Sequence, residues 1–289
     1  MTVAEALRQT ARRLRAATGE EAAQEARWLV GHVLGLQPAE LAASRLATWL
    51  PEQAAALEGL LQRRLMGEPL QYILGEWAFM GLPMRVRPGV LIPRADTEIL
   101  AERAVQRMRQ RGYRTALDLC CGSGCIGIAL ARFCAAEVTA TDLSPACCAL
   151  ARENAAQNGV QLDVRQGDLF DAVKMQETFD IIACNPPYLD ASDLAGLQRE
   201  VTFEPRLALD GGPDGLDFYR RIAAAYRAYL RPGGTLLLEI GSTQAQPVAS
   251  LFGGGELLHD YAGRPRVLEV CEARPVSTEE SGRNTCWKS

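Results

Sequence analysis

The sequence predicts an α/β fold with a doubly wound, mostly parallel seven-stranded sheet, preceded by a small all-helical N-terminal domain. Three observations carry that reading. Apolar, strand-length runs at 115–119, 137–141, 162–166, 179–184 and 235–240 alternate with helical segments near 125–134, 145–157 and 215–230. Such alternation marks parallel strands with helices on both faces. The runs at 256–261 and 266–271 have no helix between them, so they close the sheet as an antiparallel pair. Over 3–36, apolar residues recur at helical spacing.

Taken in order, Thr2 followed by Glu5 is a capping box for the first helix. Thr18-Gly19 interrupts the helical pattern, and Val30, Val33 and Leu34 mark a buried face beyond it. Residues 41–50 read as a short helix, and Pro51 suits the first turn of another that runs to about Met66. Residues 1–70 are therefore expected to form a helical domain. Its arginines Arg12, Arg13, Arg15, Arg63 and Arg64 read as a solvated face. Residues 71–96 change character. The segments 72–75, 79–81 and 84–87 look like short strands with tight turns, a hairpin linker. Leu91-Ile92-Pro93-Arg94 then leads into a helix from about Thr97, capped by Thr97 or Asp96. The main domain spans 97–274, and the polar tail 275–289 is expected to be loosely attached.

Composition narrows the function. A net charge of −4 gives no general pull toward nucleic acid or an anionic membrane. No run approaches the length of a membrane-spanning helix. Nine cysteines, odd in number and mostly inside apolar runs, fit free thiols in a reducing cytoplasm. His32 and His259 are the only histidines and no paired CxxC spacing occurs, which argues against a metal site.

The chemistry-bearing residues gather at strand ends, where open α/β sheets bind ligands. Asp118-Leu119-Cys120-Cys121-Gly122-Ser123-Gly124 runs from a strand into a glycine turn and a helix. Glycines there let a ligand approach the backbone, and the helix N-terminus offers free N–H groups. Gly122, Gly124 and Gly127 spell GxGxxG, so a dinucleotide is one reading. Asp142 ends the second strand, where an acid accepts the two hydroxyls of an adenosine ribose; a helix cap is the alternative, for which Ser144 is better suited. Asp168-Leu169 ends the third, where a side chain can cover an adenine. Three such ends at successive turns favour a nucleoside pocket.

The fourth strand ends in Asn185-Pro186-Pro187-Tyr188. Proline cannot continue a central strand, so the chain turns out of the sheet in a rigid projection. Asn185 offers a side-chain oxygen, Pro186 a free carbonyl and Tyr188 an aromatic face. Two acceptors beside a flat ring suit a planar NH2 group. A dehydrogenase needs a proton donor near its nicotinamide, and neither histidine is well placed for that. A methyltransferase needs only alignment of a nucleophile with an activated methyl group.

With these residues the chain resembles the release factor glutamine N5-methyltransferases, class I enzymes that use S-adenosylmethionine. The resemblance extends from the helical domain to Cys271. It rests on Gly67-Glu68-Pro69-Leu70-Gln71-Tyr72-Ile73, on Ile92-Pro93-Arg94 with Asp96-Thr97-Glu98, and on Asn185-Pro186-Pro187-Tyr188. Phe203-Glu204-Pro205-Arg206, Leu209, Gly211-Gly212 and Asp214-Gly215-Leu216 continue it. Asn-Pro-Pro-Tyr alone is shared with DNA adenine and RNA guanine amino-methyltransferases. Cys120-Cys121 depart from the pattern, which usually has Gly-Thr or Gly-Gly there. The resemblance implies that Cys120, Cys121, Gly122, Ser123 and Gly124 line the methionine part of the cofactor, with Asp118 beside them. It implies Asp142 and Leu143 at the ribose and Asp168 and Leu169 at the adenine. Asn185, with Pro186, Pro187 and Tyr188, would hold the reacting amide and also meet the cofactor. Arg94 and Glu204 read as an ion pair. The implied substrate is the Gly-Gly-Gln loop of class 1 peptide chain release factors, met by a cytoplasmic monomer. N-methylation of an exocyclic amine in DNA or RNA is the alternative, disfavoured by the acidic charge balance.

Overall fold

The computed structural model describes residues 1–37 and 39–272. The predicted tail lies outside them.

The N-terminal region packs α1 (Val3–Thr18), α2 (Ala22–Leu34) and α3 (Pro51–Leu65) around Leu14, Leu29, Val30, Trp49 and Leu61. Thr2 and Glu5 form the capping box, Gly19 ends α1 at a positive φ, and Pro51 opens α3. Residues 41–50 differ from expectation. They hold one short 3-10 turn, Glu40–Ala42, and then a run of turns. Their carbonyls have other work: Ala47 and Arg45 accept the free N–H groups of Val3 and Ala4 at the start of α1, both at 3.0 Å. Arg64 also departs from the solvated face expected of it. It is 3% exposed, bonded through Nε and Nη2 to Glu25 and through Nη2 to Glu200 at 2.6 Å. Burial of that guanidinium is tolerated because two carboxylates meet it.

Residues 72–74 are helical rather than extended, within α4 (Leu70–Leu74), which Gly75 ends in the left-handed conformation. The hairpin is confined to β1 (Glu76–Phe79) and β2 (Leu82–Arg85). The next helix, α5 (Ala95–Arg111), begins two residues earlier than expected, with Arg94 at the N-cap position.

The main sheet contains β3 (Thr115–Leu119), β4 (Glu137–Asp142), β5 (Asp163–Gln166), β6 (Phe179–Cys184), β7 (Leu230–Glu239), β8 (Glu256–His259) and β9 (Pro265–Cys271). Its order is β5-β4-β3-β6-β7-β9-β8, parallel except that β9 is antiparallel to both neighbours. The connections include α6 (Cys125–Cys134), α7 (Pro145–Gln157), α8 (Ala191–Ala195), α9 (Asp217–Ala225) and α10 (Ala245–Phe252); α8 and α10 were not anticipated. One core lies between the sheet and α5 and α6, around Leu100, Met108, Ile126 and Ile128. The other lies against α9 and α10, around Tyr219, Ile222, Tyr226 and Phe252. The strand order reverses between β3 and β6, which opens a crevice at their carboxyl ends.

Candidate active site

Two cavities open on that crevice. The first has about 830 Å³ of empty space counted to its mouth. Its wall includes Cys120, Gly122, Asp142, Leu143, Asp168, Leu169, Asn185 and Pro187, contributed by four successive strand ends. The second, about 1210 Å³, is lined by Arg94, Tyr188, Glu239 and Arg266 among others. Leu91, Asn185 and Ala208 belong to both walls.

The glycine turn shows why these residues fold this way. Cys120, Gly122 and Gly124 all have positive φ, at 62°, 54° and 80°. A Cβ on Gly122 would stand in open space, so the missing side chain leaves room beside the backbone. Asp142 reaches across from β4. Its two carboxylate oxygens accept the N–H groups of Gly122 at 2.9 Å and Ser144 at 2.8 Å. Ser144, not Asp142, caps α7. Burial raises the Asp142 carboxyl above its ordinary range, against those two bonds.

Four expected lining residues stand behind the wall instead. Asp118 is fully buried and accepts the Gly127 N–H at 2.8 Å; burial pushes its carboxyl up to about 7. Cys121 packs with Ala140, Cys148, Ala151 and Val164. The Ser123 carbonyl accepts Asn154 Nδ2 at 3.0 Å, and Gly124 sits tightly against Ala151. Their role is to hold the turn, because the chain must fold back there to start α6. Asp168 does line the first cavity, but as an ion pair with Arg221 at 2.8 Å.

The segment after β6 is held from several sides. Leu189 pairs with the 209–211 backbone through bonds of 2.9 Å. Gln244 Nε2 donates to the Tyr188 carbonyl at 2.9 Å. Side chains on Gly211 or Gly215 would collide with the Tyr188 backbone, at 2.7 and 2.4 Å. Asn185 Nδ2 donates to Thr97 Oγ1 at 3.1 Å, while no described residue donates to Asn185 Oδ1 or to the Pro186 carbonyl. Pro186 is itself buried and, unlike Asn185, Pro187 and Tyr188, lines neither cavity, because the turn carries its ring inward. Tyr188 donates its hydroxyl to Glu239 at 3.4 Å, and burial raises its pKa well above the ordinary range. Glu204 accepts the Ile92 N–H at 3.0 Å and pairs with Arg94, tying the two sequence motifs together.

Thr97 and Glu239 escaped sequence reasoning. In the sequence Thr97 signals only a helix cap. Glu239 carried a visible signal, one acid at the end of the apolar run Leu236-Leu237-Leu238.

The first cavity fits S-adenosylmethionine on the chain's own features: the open space at Gly122, the acceptor Asp142, and Leu143 left 48% exposed as an apolar surface. Fold and site together define a class I methyltransferase that uses this cofactor. Solved structures share the fold: a methyltransferase from Pyrococcus furiosus (TM-score 0.50, 19% identity, 68% of this chain and 91% of that one). A Thermus thermophilus 16S rRNA N2 G1207 methyltransferase gives 0.51 at 23% identity, over 69% of this chain and 50% of that one.

Residues 5–75 match the PrmC N-terminal domain and residues 95–201 the methyltransferase small domain. The release factor glutamine methyltransferase of Geobacter sulfurreducens is 46% identical over 81% of this chain and 82% of its own length. That of Cereibacter sphaeroides is 44% identical over 93% and 98%. The chain belongs to the release factor glutamine methyltransferases.

Proposed function

We propose that this chain methylates the side-chain amide nitrogen, N5, of the glutamine in the Gly-Gly-Gln loop of class 1 peptide chain release factors. Family membership supports the release factor glutamine as substrate. The observation that carries the chemistry is Asn185 on the wall shared by the two cavities, with no described donor to its oxygen or to the carbonyl of the neighbouring Pro186.

S-adenosylmethionine, when bound, supplies a methyl group already activated on a sulfonium. Asp142 and Leu143 would hold its ribose, with Leu169 beside the adenine. The glutamine amide enters from the second cavity. Its nitrogen is a poor nucleophile, because the lone pair is shared with the carbonyl. Asn185 Oδ1 and the Pro186 carbonyl accept its two N–H bonds and fix the NH2 in place. Pro187 stiffens the turn and Tyr188 packs on the flat amide. Burial keeps the Tyr188 hydroxyl protonated, so the proton that the amide nitrogen sheds as it takes the methyl passes to solvent through the second cavity, the N-protonated amide being a strong acid. Rate enhancement therefore comes from alignment and preorganised dipoles.

Residues 1–70 would recognise the folded substrate, 71–96 link, and 97–274 catalyse, in a cytoplasmic monomer that acts on protein directly. Among the described residues no helix is long and apolar enough to cross a membrane. The acceptor pair would also suit a base amine in DNA or RNA. Labelled S-adenosylmethionine offered purified release factors, DNA and RNA decides between them. Label on the release factor, lost when its loop glutamine is changed to alanine, is the expected result. Label on nucleic acid alone would overturn the reading.

A further inference from the structure

The polar core behind Asn185 is a single line of hydrogen bonds drawn from three elements. Thr97, in the first turn of α5, places Oγ1 2.7 Å from Glu239 Oε2 at the end of β7. Asn185 Nδ2 lies 3.1 Å from the same Oγ1, and the Tyr188 hydroxyl 3.4 Å from Glu239 Oε1. Thr97 and Glu239 are 3% and 1% exposed.

While Glu239 is ionised, donor counting fixes the directions. An ionised carboxylate only accepts, and a threonine hydroxyl has one proton. That proton goes to Glu239, so the Thr97 oxygen can only accept from Asn185. Only the NH2 side of the amide meets that demand, and the amide oxygen is turned the other way. A flipped Asn185 would set two acceptors face to face in a buried site. Tyr188 spends its single proton on the second carboxylate oxygen. One buried acid thus orients both side chains that flank the substrate amide.

We propose that Thr97 and Glu239 are positioning residues for methyl transfer, which act by holding the Asn185 amide with its oxygen toward the incoming glutamine NH2. This rests on the proposed function and goes beyond it, since neither side chain is needed to touch the reacting atoms. Packing alone does not account for an acid here. Its facing cation, Arg266, is already engaged by Asp96 at 3.2 Å and Asp260 at 3.3 Å. The titratable and charged groups around Glu239 are Asp96, Arg266, Tyr188, Tyr219, Cys125 and Cys184. Among these influences burial dominates and pushes the Glu239 carboxyl up to about 7. Once protonated, Glu239 can donate to Thr97, which frees the threonine proton to point at Asn185 and removes the bias.

The test is single-turnover methylation of purified release factor by the full-length chain, with calorimetric S-adenosylmethionine affinity measured alongside. Thr97→Val and Glu239→Gln should lower the transfer rate constant roughly 10²-fold and leave cofactor affinity and release-factor KM within about twofold. Thr97→Ser, which restores the hydroxyl, should recover most of the rate. The wild-type rate should rise with pH through one titration near neutrality, and that titration should vanish in Glu239→Gln. A Thr97→Val protein that binds cofactor normally and transfers at the wild-type rate overturns the inference. So does a Glu239→Gln protein with the wild-type rate and pH profile. If Thr97→Val fails to fold, as lost cofactor binding would reveal, Glu239→Gln and the two pH profiles decide alone. A wild-type chain that transfers nothing to release factor defeats the proposed function, whereas active wild type with unaffected variants defeats only this inference.

Discussion

The Asp142 carboxylate accepts the backbone N–H of Gly122 at 2.9 Å, which joins the end of β4 to the glycine turn after β3. A second bond from Ser144 leaves the acid rigid, with lone pairs still free toward the first cavity. Asp142→Ala should therefore weaken S-adenosylmethionine binding by about 1.5–3 kcal/mol. Calorimetry reads this directly, and unchanged affinity would place the ribose elsewhere.

Cys120 adopts φ 62°, a conformation that costs a side-chain-bearing residue about 1–3 kcal/mol. Glycine relieves that strain, less about 0.4–1 kcal/mol for the extra freedom of the unfolded chain. Cys120→Gly should raise stability by about 1 kcal/mol in denaturant titration and keep cofactor affinity. A loss of stability would show that thiol packing outweighs the backbone.

Arg64 ties α3 to α2 through Glu25 and the helical domain to the loop after α8 through Glu200. Arg64→Met strands Glu25, itself 6% exposed, without its cation. The expected loss is about 3–5 kcal/mol, with part recovered in Arg64→Met/Glu25→Leu, which removes both charges. A single variant as stable as wild type would mean that the buried pair contributes nothing.

Glu239 binds its proton more tightly folded, near 7, than its ordinary value of 4.5. Its contribution to stability therefore falls as pH rises across that window, by about 3 kcal/mol in total. Glu239→Gln should remove that share, so the variant gains on wild type between about pH 5 and about pH 8. Parallel stability curves for the two proteins would contradict the assigned burial effect.

Much of this was legible in the chain. Strand runs bounded by Gly122, Asp142, Asp168 and Asn185 gave the sheet and the crevice, because side-chain periodicity and turn chemistry act locally. Local pattern misled where tertiary contacts decide. Residues 41–50 look helical, yet their carbonyls are taken by the start of α1. Arg64 looks like surface until Glu25 and Glu200 close around it. Thr97 and Asn185 stand 88 positions apart, and no spacing rule joins them.

The central claim is that Asn185 holds the reacting glutamine amide in line with the methyl group. Single-turnover transfer of labelled methyl from S-adenosylmethionine to purified release factor, compared between wild type and Asn185→Ala, tests it most directly. The account predicts one methyl on the loop glutamine by wild type, and a rate about 10²–10³-fold lower in a folded Asn185→Ala protein. Near-wild-type transfer by that variant would contradict it.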